Sequence, residues 1–152
     1  MARKIIAACG GQIRGQTVAV LGLTFKPNTD DMRESPSVAI ITALQDAGAK
    51  IRAYDPEGMT HARSVLTGVE YAEHAYACME GADALVIATE WDEFRALDLD
   101  RVRGLLKTPT IIDLRNVYKP AEMAAAGFFY FSIGRRPGEP PHAEQRVRTS
   151  RT

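Results

Sequence analysis

Two short apolar runs constrain the fold more than any other feature of this sequence. Thr17–Leu23 and Ala84–Thr89 consist almost entirely of aliphatic and β-branched residues. They lack the alternation of polar and apolar residues that marks a half-buried strand. A strand of this kind has to be covered on both faces, as the strands of a parallel sheet are. The two runs therefore predict the central strands of a sheet that carries helices on both sides.

Segments typical of helices and strands alternate along the rest of the chain. Ser35-Pro36 is a good helix start, Gly48 a suitable helix end, and Asp98 a further N-cap. Between the first two, one face of the predicted helix carries the apolar residues Val38, Ile41, Leu44 and Ala47. The predicted helices are 36–47, 59–66, 75–81, 99–106 and 120–126, and the further predicted strands are 50–56, 69–71, 110–113 and 128–133. Such βαβ units take right-handed crossovers. We therefore predict an α/β fold, a doubly wound, mostly parallel Rossmann-like sheet with helices on both faces.

The two ends of the chain differ from this central domain, which we place at 15–134. Residues 1–14 predict a short helix that runs into Gly10-Gly11 and that is marginally stable alone. It is expected to dock on something, and a part of the protein outside this chain is one possibility. We assign residues 1–14 to the end of a linker helix. Residues 135–152 contain five arginines, two glutamates and three prolines but almost no apolar residue, which predicts a disordered tail. The alternative is an arginine arm for an anionic partner.

Charge and composition exclude several classes of function. The chain has 19 basic and 19 acidic residues, and without the arginine-rich end the body is slightly acidic. A general nucleic-acid binder would need a basic stripe instead. No apolar run reaches the roughly 18 residues of a membrane span, and the N-terminus is a poor signal peptide. We therefore expect a cytoplasmic protein that binds neither nucleic acid nor a membrane.

The residues most often used as metal ligands are scattered. Cys9 and Cys78 have no metal or redox spacing, and buried reduced thiols are the expected state in the cytoplasm. His61 and His74 lie in helical surface contexts without a carboxylate or cysteine at ligand spacing. We predict no metal site.

The segment after the first apolar run is the candidate functional loop. Ligands of doubly wound sheets bind at the carboxyl ends of the strands, and long polar loops there are often functional. Residues 22–36 read GLTFKPNTDDMRESP. A single glycine stands where the dinucleotide fingerprint has three, so the pattern does not indicate close approach of backbone to a pyrophosphate. The loop instead concentrates an aromatic ring, two cations and three carboxylates.

This loop is similar to the signature that opens the C-terminal domain of UDP-glucose 6-dehydrogenases and related nucleotide-sugar dehydrogenases. Four shorter segments follow the family pattern in the same order: AYDP at 53–56, TEW at 89–91 with Phe94, IDLRN at 112–116 and IGR at 133–135. The resemblance covers roughly residues 15–135. It implies a UDP-sugar-binding domain of the Rossmann-like kind.

The resemblance also implies roles for individual residues. Phe25 and Lys26 match residues that contact the nucleotide sugar, and Arg115 matches an arginine near the UDP-sugar. Arg33 matches the arginine that reaches across the cleft toward NAD, for which a guanidinium suits bidentate contact. Alternatively, Lys26 and Arg33 only form ion pairs with Asp30, Asp31 and Glu34 within the loop, each worth about 0–1 kcal/mol.

Three other residues have a structural interpretation that we prefer. Asp55 follows the second strand, where a dinucleotide-binding domain has its ribose-binding carboxylate. Pro56 favours a turn-forming role for it instead, as does the missing glycine fingerprint. Trp91 and Phe94 are interpreted as loop anchors packed on the sheet edge rather than as ligand contacts.

The family oxidises the C6 alcohol of the sugar to a carboxylate with two NAD molecules. Its cysteine motif and its N-terminal NAD-binding domain have no counterpart in this sequence. The resemblance therefore implies one part of a UDP-glucose 6-dehydrogenase that is inactive alone and lacks a catalytic residue of its own. The implied partners are UDP-glucose or a related UDP-sugar, NAD, the remainder of the parent chain upstream of Met1, and a second copy in a homodimer.

Three alternatives remain open at this point. The chain could be a stand-alone UDP-sugar-binding module without catalysis. It could instead belong to a UDP-N-acetyl-sugar or GDP-mannose dehydrogenase. An unrelated regulatory domain of the same fold is the third possibility, because fold alone does not give function.

Overall fold

A computed structural model describes residues 2–23 and 36–134 as a parallel sheet flanked by helices. The strands are β1 (Thr17–Leu21), β2 (Lys50–Tyr54), β3 (Val69–Tyr71), β4 (Ala84–Ile87), β5 (Thr110–Asp113) and β6 (Phe129–Ser132). Their order in the sheet is β3-β2-β1-β4-β5-β6, and every neighbouring pair is parallel. The predicted doubly wound fold is thus confirmed, with the described strands all parallel.

The helices are α1 (Ala2–Ala8), α2 (Pro36–Asp46), α3 (Met59–Val65), α4 (Ala75–Met79), α5 (Asp92–Arg95), α6 (Leu99–Leu105) and α7 (Pro120–Ala125). The first three cover one face of the sheet, and the other four cover the opposite face. None of the helices in the described ranges is long and apolar enough to cross a membrane.

Strand β1 shows why the apolar runs were informative. Val18 and Val20 point into the core under α1, α2 and α3, whereas Ala19 and Leu21 point into the core on the other side. All four side chains are fully buried. A run without alternation is what a strand needs when both of its faces are covered.

Helix α2 packs through a face that is rotated slightly from the predicted one. The sequence predicted Val38, Ile41, Leu44 and Ala47 on the buried side. Ile41 and Leu44 are buried, while Val38 and Ala47 are only partly covered. Ser37 and Ile40 are buried as well. The serine turns toward the sheet because its hydroxyl donates to the carbonyl of Gly22, at 3.1 Å.

The sequence did not show what covers the first helix, and the structure supplies the partner. Ile5 and Ile13 are almost completely buried in the same core as β1, and α1 contacts α2 and β5. The Lys4 ammonium group donates to the carbonyl of Ser132. The inner side of this helix is therefore covered by α2 and by the chain's own sheet. The assignment of 1–14 to a linker helix stays a prediction, and the predicted tail at 135–152 lies outside the described residues.

Candidate functional site

The strand order places the expected ligand crevice between β1 and β4. From β1 the chain proceeds outward through β2 to β3, and from β4 it proceeds the other way through β5 to β6. Ligands of doubly wound sheets bind at this switch point, beyond the carboxyl ends of the strands. The loops that begin at Gly22, Ala88 and Leu114 therefore border the crevice. Phe25, Lys26 and Arg33 belong to the first of these loops but lie outside the described residues.

Gly22 brings the ends of β1 and β4 into direct contact. Its φ of +105° lies in the region that favours glycine. A methyl group on Gly22 would lie 2.5 Å from Cβ of Thr89 and 2.6 Å from its amide nitrogen. The one glycine of the loop is thus required by the contact with the neighbouring strand. This agrees with the sequence interpretation that the loop is not a dinucleotide fingerprint.

Asp55 joins three loops at the same edge of the sheet. Its fully buried carboxylate accepts from the amides of Glu57 and Gly58, at 2.8 and 2.7 Å, which closes the turn after β2. The second oxygen accepts from the amide of Leu23, at 2.7 Å, and from the indole N–H of Trp91, at 3.3 Å. A carboxylate has about four acceptor sites, so these four donors occupy it. The predicted turn-forming role is confirmed, and the ribose-binding alternative has no acceptor left to use.

The interpretation of Trp91 and Phe94 as loop anchors is also confirmed. Phe94 is fully buried, and Trp91 is 8% exposed. The Phe94 ring packs edge-on against Tyr54, with centroids 6.2 Å apart. Together these rings hold the segment after β4 against the end of β2. The short helix α5, which the sequence did not predict, supplies Phe94 to this contact.

A second buried carboxylate holds the loop after β5. Asp113 accepts from the amides of Arg115 and Tyr118, at 3.1 and 2.9 Å, and from the hydroxyl of Tyr130, at 2.6 Å. Burying a carboxylate is unfavourable unless donors compensate for the lost water, and these three donors do so. Sequence reasoning missed this role, although a carboxylate as the last residue of a short strand with an apolar centre was a usable signal.

Asn116 fixes the same loop from its other side. Its φ of +54° is uncommon for a residue other than glycine, although asparagine tolerates it better than most. Its side-chain amide both donates to the carbonyl and accepts from the amide of Ile133, at 3.0 and 2.9 Å. The backbone of Arg115 is therefore held between two anchored neighbours.

Arg115 lies at the carboxyl end of β5, as predicted, and reaches toward the end of β4. Its Nη2 donates to Oε1 of Glu90, at 2.8 Å, and the other oxygen of Glu90 accepts from Nη2 of Arg95, at 3.4 Å. The Arg115 side chain remains 37% exposed. A partly exposed guanidinium beside the switch point is suited to an anionic ligand. Sequence reasoning missed Glu90, because nothing local links it to an arginine 25 positions later.

Neither of the two cysteine thiols is activated as a nucleophile. Cys78 is buried, and its Sγ contacts the carbonyl oxygen of Arg52 at 3.3 Å. Burial raises the pKa of the Cys78 thiol to about 12 and that of the Cys9 thiol to about 11. A nucleophilic cysteine needs a lowered pKa instead. Both side chains are therefore neutral at physiological pH and serve as packing.

Comparison with known proteins assigns the domain to a family. The model of the UDP-glucose/GDP-mannose dehydrogenase family, UDP binding domain, matches residues 19–120. The chain belongs to this family. The match begins within β1 and includes β2 to β5 and the loops that border the crevice. The resemblance identified from the sequence is therefore confirmed.

Individual relatives of this UDP-binding domain agree with the family assignment. A UDP-glucose 6-dehydrogenase of Rhizobium meliloti is 60% identical over 135 residues, which cover 89% of this chain and 31% of the relative. The UDP-glucose 6-dehydrogenase TuaD of Bacillus subtilis is 48% identical over 126 residues, covering 82% and 27%. The chain thus spans about a third of the length of these relatives.

Solved structures show the same fold in related enzymes. A UDP-glucose dehydrogenase of Pyrobaculum islandicum superposes with a TM-score of 0.71 at 34% identity, over 86% of this chain and 28% of that one. An NDP-N-acetyl-D-galactosaminuronic acid dehydrogenase of Methanosarcina mazei gives 0.77 at 31% identity, over 88% and 28%. The fold is therefore shared by family members whose sugars differ.

Proposed function

We propose that this chain is the nucleotide-sugar-binding half of an NAD-dependent UDP-glucose 6-dehydrogenase, which converts UDP-glucose to UDP-glucuronate. The observation that carries the proposal is the position of Arg115. Its partly exposed guanidinium stands at the carboxyl end of β5, beside the switch point, in a domain of the UDP-binding family. The remainder of the parent enzyme, in a homodimer, provides the catalytic residues and most of the NAD site.

The proposed ligand contacts follow from charge and shape. UDP-glucose carries an anionic pyrophosphate, and a guanidinium can form two parallel hydrogen bonds to phosphate oxygens. We assign this contact to Arg115. Lys26 adds a point charge for phosphate or sugar hydroxyls, and Phe25 provides an apolar surface beside it. Arg33 is assigned to the NAD-facing side of the same loop.

The described part of the chain favours binding of the UDP-sugar by this domain and of NAD by a separate domain. A dinucleotide-binding domain uses a free carboxylate after its second strand to bind the ribose. Here Asp55 occupies that place, and four protein donors surround its carboxylate. We therefore expect the 152-residue chain to bind UDP and UDP-glucose but not NAD.

Replacing Lys26 or Arg115 by alanine is expected to weaken UDP-glucose binding and to leave folding nearly unchanged. Each side chain would lose a charge-assisted hydrogen bond, worth about 1.5–3 kcal/mol of binding free energy. Titration of the ¹⁵N-labelled chain with UDP-glucose, followed by NMR shifts that include the indole N–H of Trp91, measures the affinity. Thermal melts measure the stability.

Lys107→Ala is the matched control for that titration. Lys107 is 73% exposed and pairs with Asp83, whose carboxylate binds the amide of Thr17 at the amino end of β1. Removing this charge at the opposite edge of the sheet should not alter UDP-glucose binding. Equal affinities of the parent and the Lys26 and Arg115 variants would contradict the assigned contacts. Absence of any UDP-induced shift in the parent chain would overturn the binding function itself.

Arg33→Lys is expected to raise the Michaelis constant for NAD while the dissociation constant for UDP-glucose stays nearly constant. Lysine keeps the charge but loses the planar fork that binds phosphate or carboxylate groups in a bidentate way. The measurement needs both nucleotide sites. A chimera in which this chain replaces the matching third of the Rhizobium meliloti enzyme provides them, since the two are 60% identical.

The outcome of the Arg33 experiment separates three assignments. A weaker UDP-glucose affinity with an unchanged Michaelis constant for NAD would move Arg33 to the sugar site. If neither quantity changes, Arg33 only pairs with acidic neighbours in its loop. The stand-alone binding module, the second candidate function, is favoured if the parent chimera binds UDP-glucose but produces no NADH.

A further inference from the structure

Glu90 stands between two arginines at the border of the crevice. Its Oε1 accepts from Arg115 at 2.8 Å, and its Oε2 accepts from Arg95 at 3.4 Å. The contact with Arg115 joins the loop after β4 to the loop after β5. Strand β4 lies beside the switch point, and β5 is its outer neighbour in the sheet. We propose that Glu90 is a positioning residue that orients the Arg115 guanidinium for the diphosphate of the nucleotide sugar. This inference rests on the proposed role of Arg115 in UDP-sugar binding.

Both ends of this salt bridge are attached to immobilised backbone. On one side, Glu90 lies between Thr89, which is buried against Gly22, and Trp91, which is bonded to Asp55. Surface ion pairs are usually weak because two long side chains lose freedom when they meet. Here the ion pair does not also have to order the Glu90 backbone, because the flanking residues already hold it on both sides.

Arg115 is held equally well at its backbone. The carboxylate of Asp113 accepts from its amide, at 3.1 Å, and the side chain of Asn116 is bonded twice to Ile133. What remains free is the long side chain, and Glu90 restrains it at a single nitrogen. Within the described part of the chain, the orientation of the guanidinium plane therefore depends on this one contact.

The contact uses little of the binding capacity of the guanidinium. An arginine has five N–H donors in a rigid plane. Among the residues that the structure describes, Glu90 is the only hydrogen-bond partner of the Arg115 side chain. The described residues thus leave its remaining donors open to phosphate oxygens. Glu90 thus fixes the plane from one edge without occupying the fork, as a positioning residue should.

Electrostatics alone would predict the opposite effect of removing Glu90. Its negative charge repels a diphosphate, so a glutamate that merely stood nearby would weaken UDP binding, and its removal would strengthen it. A positioning role predicts weaker binding after removal, despite the more favourable charge. The sign of the change therefore separates the two possibilities.

The test uses the 152-residue chain and UDP as the probe, with affinities from NMR titration. Glu90→Ala is expected to weaken UDP binding about 3- to 10-fold, in the range of coupling between contacting residues. Glu90→Gln keeps an oxygen acceptor and should fall between this variant and the parent. Asp92→Ala is the charge control, because it removes an exposed carboxylate two residues away. It should leave UDP affinity unchanged or slightly raise it.

A double-mutant cycle shows whether Glu90 acts through Arg115. In the Arg115→Ala background, adding Glu90→Ala is expected to cause no further loss of UDP affinity. An equal loss in both backgrounds would overturn the positioning role, because Glu90 would then act through the fold. Unchanged or tighter binding by Glu90→Ala would overturn it as well, while a weakened Arg115→Ala variant would leave the proposed function standing. Unchanged binding by Arg115→Ala itself would overturn the positioning role together with the phosphate contact assigned to Arg115. The proposed function would fail only if the parent chain did not bind UDP.

Discussion

Replacing Gly22 by alanine is expected to destabilise the domain by about 2–6 kcal/mol, combining backbone strain with overpacking. The φ of +105° is strained for any residue with a Cβ. The added methyl group would also lie 2.5 Å from Cβ of Thr89 and 2.6 Å from its amide nitrogen. Backbone cannot move aside as a flexible side chain can, so β1 and β4 would have to separate where they meet. Urea denaturation followed by circular dichroism measures the loss.

Gly104→Ala provides the control for the glycine substitution. Gly104 lies inside α6, and a methyl group there would meet no heavy atom within 4 Å apart from its chain neighbours and the backbone of its own helix. Alanine should stabilise this helix by about 0.5–1 kcal/mol. The two substitutions therefore add the same atom with opposite expected signs. A Gly22→Ala variant as stable as the parent would show that the contact between β1 and β4 is not tight.

Asp55→Asn is expected to cost about 2–6 kcal/mol of stability, because at least two buried donors lose their acceptor at about 1–3 kcal/mol each. Asparagine keeps the shape but turns one oxygen into an N–H₂ group. Whichever way it is oriented, this group faces two N–H donors, those of Glu57 and Gly58 or those of Leu23 and Trp91. Urea denaturation measures the loss.

Asp100→Asn is the matched control for Asp55. The Asp100 side chain is 87% exposed and forms a single ion pair with Arg103, at 3.3 Å. Its replacement should cost at most about 0–1 kcal/mol, as for other surface ion pairs. If Asp55→Asn were no more destabilising than this control, the three loops would not depend on the buried carboxylate.

The parts of the fold that the sequence predicted are those encoded by local patterns. The predicted bounds of β3 and β5 agree with the structure, and Asp98 caps α6 by accepting from the amide of Arg101. A strand that is buried on both faces carries its own signature, as does a helix with a capping residue. The predicted sheet follows from such signatures and from the handedness of its connections.

The parts that the sequence did not predict depend on distant partners or on very few residues. The contact between Glu90 and Arg115 exists only because β4 and β5 lie side by side. Burial of Ile5 likewise requires the assembled sheet. Helix α5 has four residues, which is too few to establish a helical period. A single sequence contains no direct record of which segments meet.

In the candidate site, too, the sequence predicted the locally encoded features but not the contacts between distant residues. Arg115 could be located at the end of a strand from the strand pattern, and the turn-forming role of Asp55 from Pro56. The sequence could not show that the indole of Trp91 is a donor to Asp55, because that contact crosses the sheet. Motif resemblance names the residues that face a ligand more readily than the residues that hold them in place.

The two buried carboxylates, Asp55 and Asp113, repeat one device in the two halves of the sheet. Asp55 directly follows β2 and Asp113 is the last residue of β5, the second strand of each half. Each carboxylate accepts from the amide two positions later and from an aromatic side chain, Trp91 or Tyr130. The crevice between β1 and β4 is therefore flanked by two preorganised turns. A ligand that binds there does not have to order these two turns. Less conformational entropy is therefore lost on association than when flexible loops border a site.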